Sequence, residues 1–204
     1  MVPGQALMAM IYAAGHVSGA HFDPAVTVAF AVARKLPLLH VPMYVLSQLF
    51  GSTLASLTLR VLLKDQRDDV LPMLTQYSST STTHLEAIVW EFIITFILIF
   101  TICGVASDDR ANNGLCGVAI GGALSFNILI AGQITGASMN PARSLGPAVV
   151  SGVYKNQWVY VVAPILGAMA ASLIYNLLRS PTLEKSKRDS RSTIYNDLYL
   201  EPDV

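Results

Sequence analysis

Two Pro-Ala motifs carry the polar side chains of this sequence that could do chemistry. They consist of Asp23, Pro24 and Ala25 in SGAHFDPAVT, and of Asn140, Pro141 and Ala142 in ITGASMNPAR. Asp23 could be a catalytic carboxylate, a helix cap, or a group on a path through a membrane. Catalysis by a carboxylate needs a nucleophile, acid or base within reach. The sequence shows no such partnership for Asp23, so an enzyme is the least favoured class.

Both motifs are signals for the start of a helix. Asp and Asn are preferred N-cap residues, and proline is preferred in the first turn, where its missing N–H is no loss. We expect helices over residues 24–33 and 141–150, each about 15 Å long, which is half the thickness of a bilayer core. The preceding segments, GHVSGAHF and GQITGASM, are rich in glycine and small polar residues. They predict extended backbone, which membranes tolerate only inside protein or along a water-filled cavity.

The composition places these motifs in a membrane protein. Of 204 residues, 53% are hydrophobic and only 13% are charged, which is too apolar for an ordinary soluble domain. Windows long enough to cross the bilayer are residues 41–63, 88–106, 115–132 and 158–178, whereas residues 2–14 are too few. The formal net charge of zero gives no sign of nucleic-acid binding. Cys103 and Cys116 lie in or beside apolar spans, so we predict no disulfide framework, metal site or cofactor.

An internal repeat relates the two motifs. AAGHVSGAHFDPAV aligns with IAGQITGASMNPAR, and Asn140 follows Asp23 by 117 residues; farther on, YVLSQLFGSTLASL aligns with YVVAPILGAMAASL at an offset of 116. A general likeness among apolar helices would explain the composition but not the shared Gly, Asp or Asn, and Pro positions. We therefore expect a membrane domain over residues 1–179, with one repeat over residues 1–63 and the other over residues 84–179.

The second repeat is preceded by the apolar span at residues 84–106, and the first repeat lacks a counterpart because Met1 aligns with position 118. We expect a complete unit to have three spans and hence one helix to be missing upstream. An odd number of spans reverses the chain direction, so the two units are inverted. The predicted fold is all-α and integral to the membrane, with five spanning helices and two re-entrant half-helices.

Two half-helices that meet at mid-membrane would place positive dipole ends there. Such a centre repels cations, while carbonyl and amide groups can bind neutral solutes, so a pore for uncharged molecules is favoured. Arg143 would then face the pore, or it would donate structurally to loop carbonyls. Glu91 lies inside a span, and we expect it to hold loop backbone by hydrogen bonds rather than to take part in conduction. His21 could face the pore or make local hydrogen bonds.

The paired motifs SGAHFDPAVT and TGASMNPARSLGPA resemble the signature of the aquaporin family. Their sequences are most similar to those of plant nodulin-26-like intrinsic proteins. The resemblance covers residues 4–178 and implies a tetrameric channel for water, glycerol, ammonia or metalloid acids such as boric and arsenous acid. It assigns the selectivity filter to Ile128, Ala137 and Arg143, with Pro3 at a position where the family has other residues. Asp23 stands where the family has asparagine.

Two other functions compete with a conducting channel. Without the first helix the chain could be a nonconducting subunit that modulates full-length aquaporin relatives. A secondary transporter with broken helices is weaker, because no pair of intramembrane carboxylates is present to couple ions.

The charge distribution predicts which end faces the cytoplasm. Arg34, Lys35, Arg110 and the basic residues after Leu178 fall on one side, which we take as cytoplasmic. The polar tail at residues 180–204 should be disordered. Its Ser186, Ser190 and Ser192 lie among Lys and Arg and resemble sites for a protein kinase. The resemblance implies the plasma membrane or an endomembrane of a plant cell.

Overall fold

A computed structural model describes residues 2–63, 74–78, 80–108, 111 and 113–179 of the chain. The described residues form seven α-helices: α1 (Val2–Ser18), α2 (Pro24–Val32), α3 (Val41–Leu62), α4 (His84–Ile102), α5 (Cys116–Thr135), α6 (Pro141–Ser151) and α7 (Val159–Leu178). Short 3-10 turns at Leu38–His40 and Asn113–Leu115 precede α3 and α5, and a π-helical turn at Cys103–Ser107 extends α4. The predicted tail with Ser186, Ser190 and Ser192 lies outside the described residues.

The predicted spans are confirmed. Among the described residues, four helical stretches are long and apolar enough to cross a membrane, namely Leu38–Leu62, His84–Ser107, Cys116–Thr135 and Val159–Leu178. The fifth predicted spanning helix is α1, which has 17 residues and is not among these four; it is about 25 Å long. It is longer than the window predicted at residues 2–14, because the helix continues to Ser18.

The two half-helices begin at the predicted prolines. α2 has 9 residues and α6 has 11, so both reach only about 14 to 17 Å at 1.5 Å per residue. Asp23 caps α2 and Asn140 caps α6, each in an extended conformation with its side chain accepting a main-chain N–H of the first turn. These are the local hydrogen bonds for which Asp and Asn are preferred at this position.

The extended segments are shorter than the sequence predicted. GHVS and GQIT belong to the ends of α1 and α5, and only residues 19–23 and 136–140 are non-helical. Glycine in a helix costs about 1 kcal/mol relative to alanine, which is less than leaving buried backbone groups unpaired. α1 and α5 are each followed by two residues with left-handed backbone, at equivalent places of the repeat. These residues are Gly19 and Ala20, with φ of 75° and 53°, and Gly136 and Ala137, with φ of 85° and 44°.

The packing follows the sequence repeat. α1 packs against α5, α2 against α7, and α6 against α3, while α4 packs against both α5 and α7. Close approach depends on small residues, as expected for helices in lipid. A Cβ atom on Gly146 of α6 would lie 2.7 Å from the main-chain carbon of Ser52 in α3. In the corresponding packing of α2 against α7, the Ser172 hydroxyl of α7 donates to the Ala29 carbonyl of α2 over 2.9 Å.

The repeat symmetry is broken at α3. Its counterpart α7 is covered by α4, and a Cβ on Gly167 would lie 2.5 Å from the Phe92 carbonyl oxygen. The equivalent residue of α3 is Gly51, and a Cβ there would meet nothing within 4 Å among the described residues. Large apolar side chains such as Leu46 and Phe50 are also exposed along α3. This helix therefore presents an open face around Gly51.

Candidate functional site

The starts of the two half-helices meet inside the helix bundle. The Asn140 side chain, at the start of α6, donates from Nδ2 to the carbonyl oxygen of Phe22 over 2.9 Å. Its Oδ1 accepts the main-chain N–H groups of Ala142 and Arg143 over 2.9 and 3.1 Å. Both ends of the Asn140 amide therefore have a partner, one in its own half-helix and one in the opposite half of the repeat.

Asp23 holds the corresponding place at the start of α2. Its side chain is 6% exposed, and Oδ1 accepts the Ala25 N–H over 2.7 Å. Its carbonyl oxygen accepts both the N–H and the hydroxyl of Thr27. Asp23 is thus a well-formed cap, and its carboxyl group lies beside the cavity where the half-helices meet.

A cavity of about 800 Å³, the central cavity, is enclosed mainly by α1, α4, α5 and the loops before the half-helices. The structure brings most of the site residues predicted from the sequence together around it: Pro3, His21, Asp23, Ile128, Ala137, Asn140 and Arg143. Apolar side chains of α1, α2, α4 and α5 supply most of the remaining wall. The lining is therefore largely apolar, with a few polar groups near the junction of the half-helices, as in sites that hold small molecules.

Arg143 is the fixed positive charge of this cavity. It lies in the first turn of α6, where its N–H is capped by Asn140, and its side chain is exposed toward the cavity. Nη1 donates to the hydroxyl oxygen of Thr75 over 2.6 Å. The guanidinium therefore has a firm partner in the connection between α3 and α4.

Thr75 is a site residue that the sequence did not indicate. It is buried, at 1% exposure, and its carbonyl oxygen accepts a hydrogen bond from Gln157 Nε2 over 3.2 Å. The nearby Tyr77 packs against Tyr160 and hydrogen bonds with His84, and burial raises the pKa of the Tyr77 phenol. The segment LTQYSST has the composition of a polar loop, so no sequence signal pointed to this contact.

Glu91 holds the loop before α6 from within α4. Its side chain is fully buried, and it accepts the Thr135 hydroxyl over 2.7 Å. It also accepts the main-chain N–H groups of Ser138 and Met139 over 3.0 and 2.8 Å. Three donors converge on one carboxylate, so the left-handed backbone of this loop has its polar groups paired. Glu91 does not line the central cavity.

His21 lies in the loop before α2 and makes mostly local contacts. Its ring lies against those of Phe30 and Tyr44, with centroid distances of 4.6 and 5.1 Å, and Nδ1 is 3.5 Å from the Thr27 hydroxyl. Gln48 of α3 donates from Nε2 to the His21 carbonyl over 2.6 Å. These contacts tie the loop to α3, although the imidazole also borders the central cavity.

A second cavity, the α3 groove, runs along the open face of α3 and has a volume of about 840 Å³. Small and polar residues of α3 line its floor, including Ser47, Gly51, Ser52, Ala55 and Ser56. Asn140 and Arg143 border both cavities. Across the residues that the structure describes, no cluster of three His, Cys, Asp or Glu side chains could hold a metal ion.

Comparisons with known proteins agree with this architecture. The family model of the major intrinsic proteins matches residues 1–175. Nodulin-26 of Glycine max is 50% identical over 195 residues, which cover 93% of this chain and 69% of that protein. Putative aquaporin NIP4-1 of Arabidopsis thaliana is 51% identical over 176 residues, 86% of this chain and 60% of that protein. The chain thus spans about 60 to 69% of the length of these relatives.

The fold is also found in a solved structure. The X-ray structure of the aquaglyceroporin from Plasmodium falciparum superposes with a TM-score of 0.73 at 24% identity, covering 89% of this chain and 81% of that one. The resemblance to the aquaporins is therefore confirmed, and the relatives are channels rather than enzymes. With a family match over most of its length and relatives at half identity, this chain belongs to the major intrinsic protein family and is a multi-pass membrane protein.

Proposed function

We propose that this protein is a facilitative transmembrane channel for water and small uncharged solutes. The observation that carries the proposal is the junction of the two half-helices, where Asp23, Asn140 and Arg143 border one cavity. The solutes that fit this lining are glycerol, ammonia and metalloid acids such as boric and arsenous acid, in addition to water.

The charges at the junction favour neutral solutes. The N-termini of α2 and α6 point their positive dipole ends at the cavity, each equivalent to roughly half an elementary charge. Arg143 adds a full positive charge in the first turn of α6. A cation entering this region is therefore repelled, while a neutral solute can exchange its water partners for the polar groups of the loops before the half-helices.

The side chains next to Arg143 favour a solute somewhat larger than water. Ile128 and Ala137 border the same cavity, and neither is as bulky as an aromatic residue. Ala137 contributes only a methyl group from a left-handed backbone position. A pore lined by Ile, Ala and Arg leaves room for a small polyol or acid. The apolar part of such a solute would remain in contact with Ile128.

The proposed setting is the plasma membrane or an endomembrane of a plant cell, since the relatives described above include plant proteins. There the chain would assemble as a homo-tetramer or hetero-tetramer with aquaporin relatives. The tail at residues 180–204 would lie in the cytoplasm. Its Ser186, Ser190 and Ser192 would accept phosphate from a protein kinase, which adds negative charge among the neighbouring Lys and Arg residues.

Purified protein in liposomes tests the proposal. Light scattering after an osmotic step measures entry of water, glycerol and boric acid, and a potassium-sensitive dye measures cation leak. We expect neutral-solute permeability above that of empty liposomes and no cation leak. Arg143→Ala should admit cations, because it removes the fixed positive charge while leaving the cap of α6 intact. Correctly inserted protein with permeability equal to that of empty liposomes would contradict the proposal.

The α3 groove favours a second candidate function. The face of α3 around Gly51 is open, whereas α4 covers the equivalent face of α7 around Gly167. A chain with an open side wall could act as a nonconducting subunit that binds a helix of an aquaporin relative and changes that relative's flux. Co-expression in oocytes distinguishes the two functions. No flux from this chain alone, together with altered flux of a co-expressed relative, supports the subunit; flux from the chain alone excludes it.

A further inference from the structure

The strongest unassigned polar contact of the site is the one between Arg143 and Thr75. We propose that Thr75 is a positioning residue that holds the guanidinium of Arg143 against the wall of the pore and thereby sets the channel's selectivity. This inference rests on the proposed channel function. It assigns a role in selectivity to the connection between α3 and α4, which neither Pro-Ala motif indicates.

The Thr75 hydroxyl is well placed to hold Arg143. Its oxygen lies 2.6 Å from Arg143 Nη1, slightly below the short range typical of hydrogen bonds from charged N–H donors. The same oxygen accepts the Ser144 hydroxyl over 3.0 Å, so both of its lone pairs are used. Since Thr75 is buried and does not border the central cavity, it acts on a solute only through Arg143.

Thr75 is itself held in place on several sides. Gln157 donates to its carbonyl oxygen from the segment before α7. Its methyl group packs at the turn where α5 ends, and a Cβ on Gly136 would lie 3.1 Å from Thr75 Cγ2. The Ser144 hydroxyl also hydrogen bonds with that of Ser138, in the loop that Glu91 holds. The acceptor for Arg143 is therefore part of a connected and buried hydrogen-bond network.

A neutral acceptor suits this role better than a carboxylate. A carboxylate paired with Arg143 would cancel its charge and weaken the repulsion of cations at the half-helix junction. The threonine hydroxyl orients the guanidinium and leaves its positive charge in place. Removal of the hydroxyl frees Nη1 of its partner, so the side chain can swing across the cavity and obstruct larger solutes more than water.

Three variants test this role in the liposome assay, with the ratio of glycerol to water permeability as the readout. Thr75→Val keeps the shape and removes the hydroxyl, and we expect the ratio to fall about tenfold, the change that corresponds to one hydrogen bond to a charged group. Thr75→Ser keeps the hydroxyl and should stay within about twofold of wild type. Thr75→Ala is made in parallel, so that poor folding of the valine variant does not decide the result.

Thr82→Val is the matched control. Thr82 is a buried threonine of the same connection, and its hydroxyl donates to the Ile134 carbonyl rather than to a group at the cavity. It should leave the glycerol-to-water ratio unchanged. If the wild type conducts and both Thr75→Val and Thr75→Ala keep its glycerol-to-water ratio, the proposed role of Thr75 is wrong. A wild type without any flux contradicts the proposed channel function instead, and this inference with it.

Discussion

The side-chain amide of Asn140 donates to the main-chain oxygen of Phe22 over 2.9 Å, although 118 residues separate the two along the chain. The bond joins the cap of α6 to the residue before the cap of α2. In the repeat, Asp23 corresponds to Asn140, and Phe22 corresponds to Met139. A residue with an amide at position 23 could therefore make the reciprocal bond to the Met139 carbonyl, whereas an ionised carboxylate has no proton to donate.

Asp23→Asn should raise neutral-solute flux or lower any cation leak. Asparagine caps a helix as well as aspartate does, and its amide can also donate to a solute or to the opposite loop. Where the carboxyl group is ionised, the substitution also removes a negative charge that offsets the positive ends of the half-helices. We expect a change of about twofold to tenfold, the equivalent of one neutral hydrogen bond. Osmotic swelling and cation flux of the reconstituted protein measure both effects.

The reciprocal substitution, Asn140→Asp, is the control for Asp23→Asn. It keeps the capping oxygen that accepts the Ala142 and Arg143 N–H groups but removes the donor to Phe22. Neutral-solute flux should fall or cation leak should rise, opposite to the effect at position 23. Identical permeabilities of wild type and Asp23→Asn would show that the residue is only a cap.

Glu91→Gln should strongly destabilise the protein, although it keeps the size of the side chain. The carboxylate accepts three hydrogen bonds, and two of its partners are the main-chain N–H groups of Ser138 and Met139. A glutamine brings an N–H₂ group to one of these positions, where donor would face donor in a buried site. We expect a loss of about 2 to 4 kcal/mol, measured as a lower melting temperature of the detergent-solubilised protein.

Glu86→Gln provides the comparison, since this exposed residue lies on the same helix. Glu86 accepts the Thr83 N–H in a capping box at the start of α4, and glutamine can fill the same place. Its melting temperature should stay close to that of wild type. A Glu91→Gln protein as stable as Glu86→Gln would mean that the loop before α6 does not depend on the buried carboxylate.

The short-range parts of this site were predictable from sequence. The caps at Asp23 and Asn140 depend on hydrogen bonds to residues two or three positions ahead, and proline follows each of them. The ends of α1 and α5 were placed too early, because glycine at positions 15 and 132 suggested loops. In the interior of a bundle, the helical hydrogen bonds outweigh the preference of glycine for other conformations, and local propensity does not report that balance.

Long-range contacts were the part that sequence could not supply. Thr75 and Arg143 are separated by 68 residues, and nothing in LTQYSST distinguishes one hydroxyl from its neighbours. The internal repeat did relate Asp23 to Asn140 and Gly51 to Gly167, because the two halves share a pattern. Thr75 lies in the connection between the repeat units, where no second copy exists for comparison.

Ile128→Ala should widen the central cavity and favour larger solutes. Ile128 borders this cavity together with Ala137 and Arg143 and is half-buried on α5. Removal of three carbon atoms from the wall should raise the ratio of glycerol to water permeability about fivefold or more, since a change of this size in a pocket is worth about 1 kcal/mol or more. Leu129→Ala is the control, because Leu129 is exposed on the same helix. An unchanged ratio in Ile128→Ala would place the narrowest point elsewhere.

The asymmetry between the two repeats can be tested by measuring protein stability instead of solute flux. The two variants for this test are Gly167→Ala and Gly51→Ala. A methyl group on Gly167 would lie 2.5 Å from the Phe92 carbonyl oxygen, so α4 and α7 must separate. We expect a loss of about 1 to 3 kcal/mol for this overpacking. The same methyl group on Gly51 meets nothing within 4 Å among the described residues, and the helix propensity of alanine should leave the melting temperature equal or slightly higher. Both variants are measured by thermal melting of the purified chain in detergent. An equal loss at Gly51 would show that another helix covers the open face of α3, and it would contradict the asymmetry seen here.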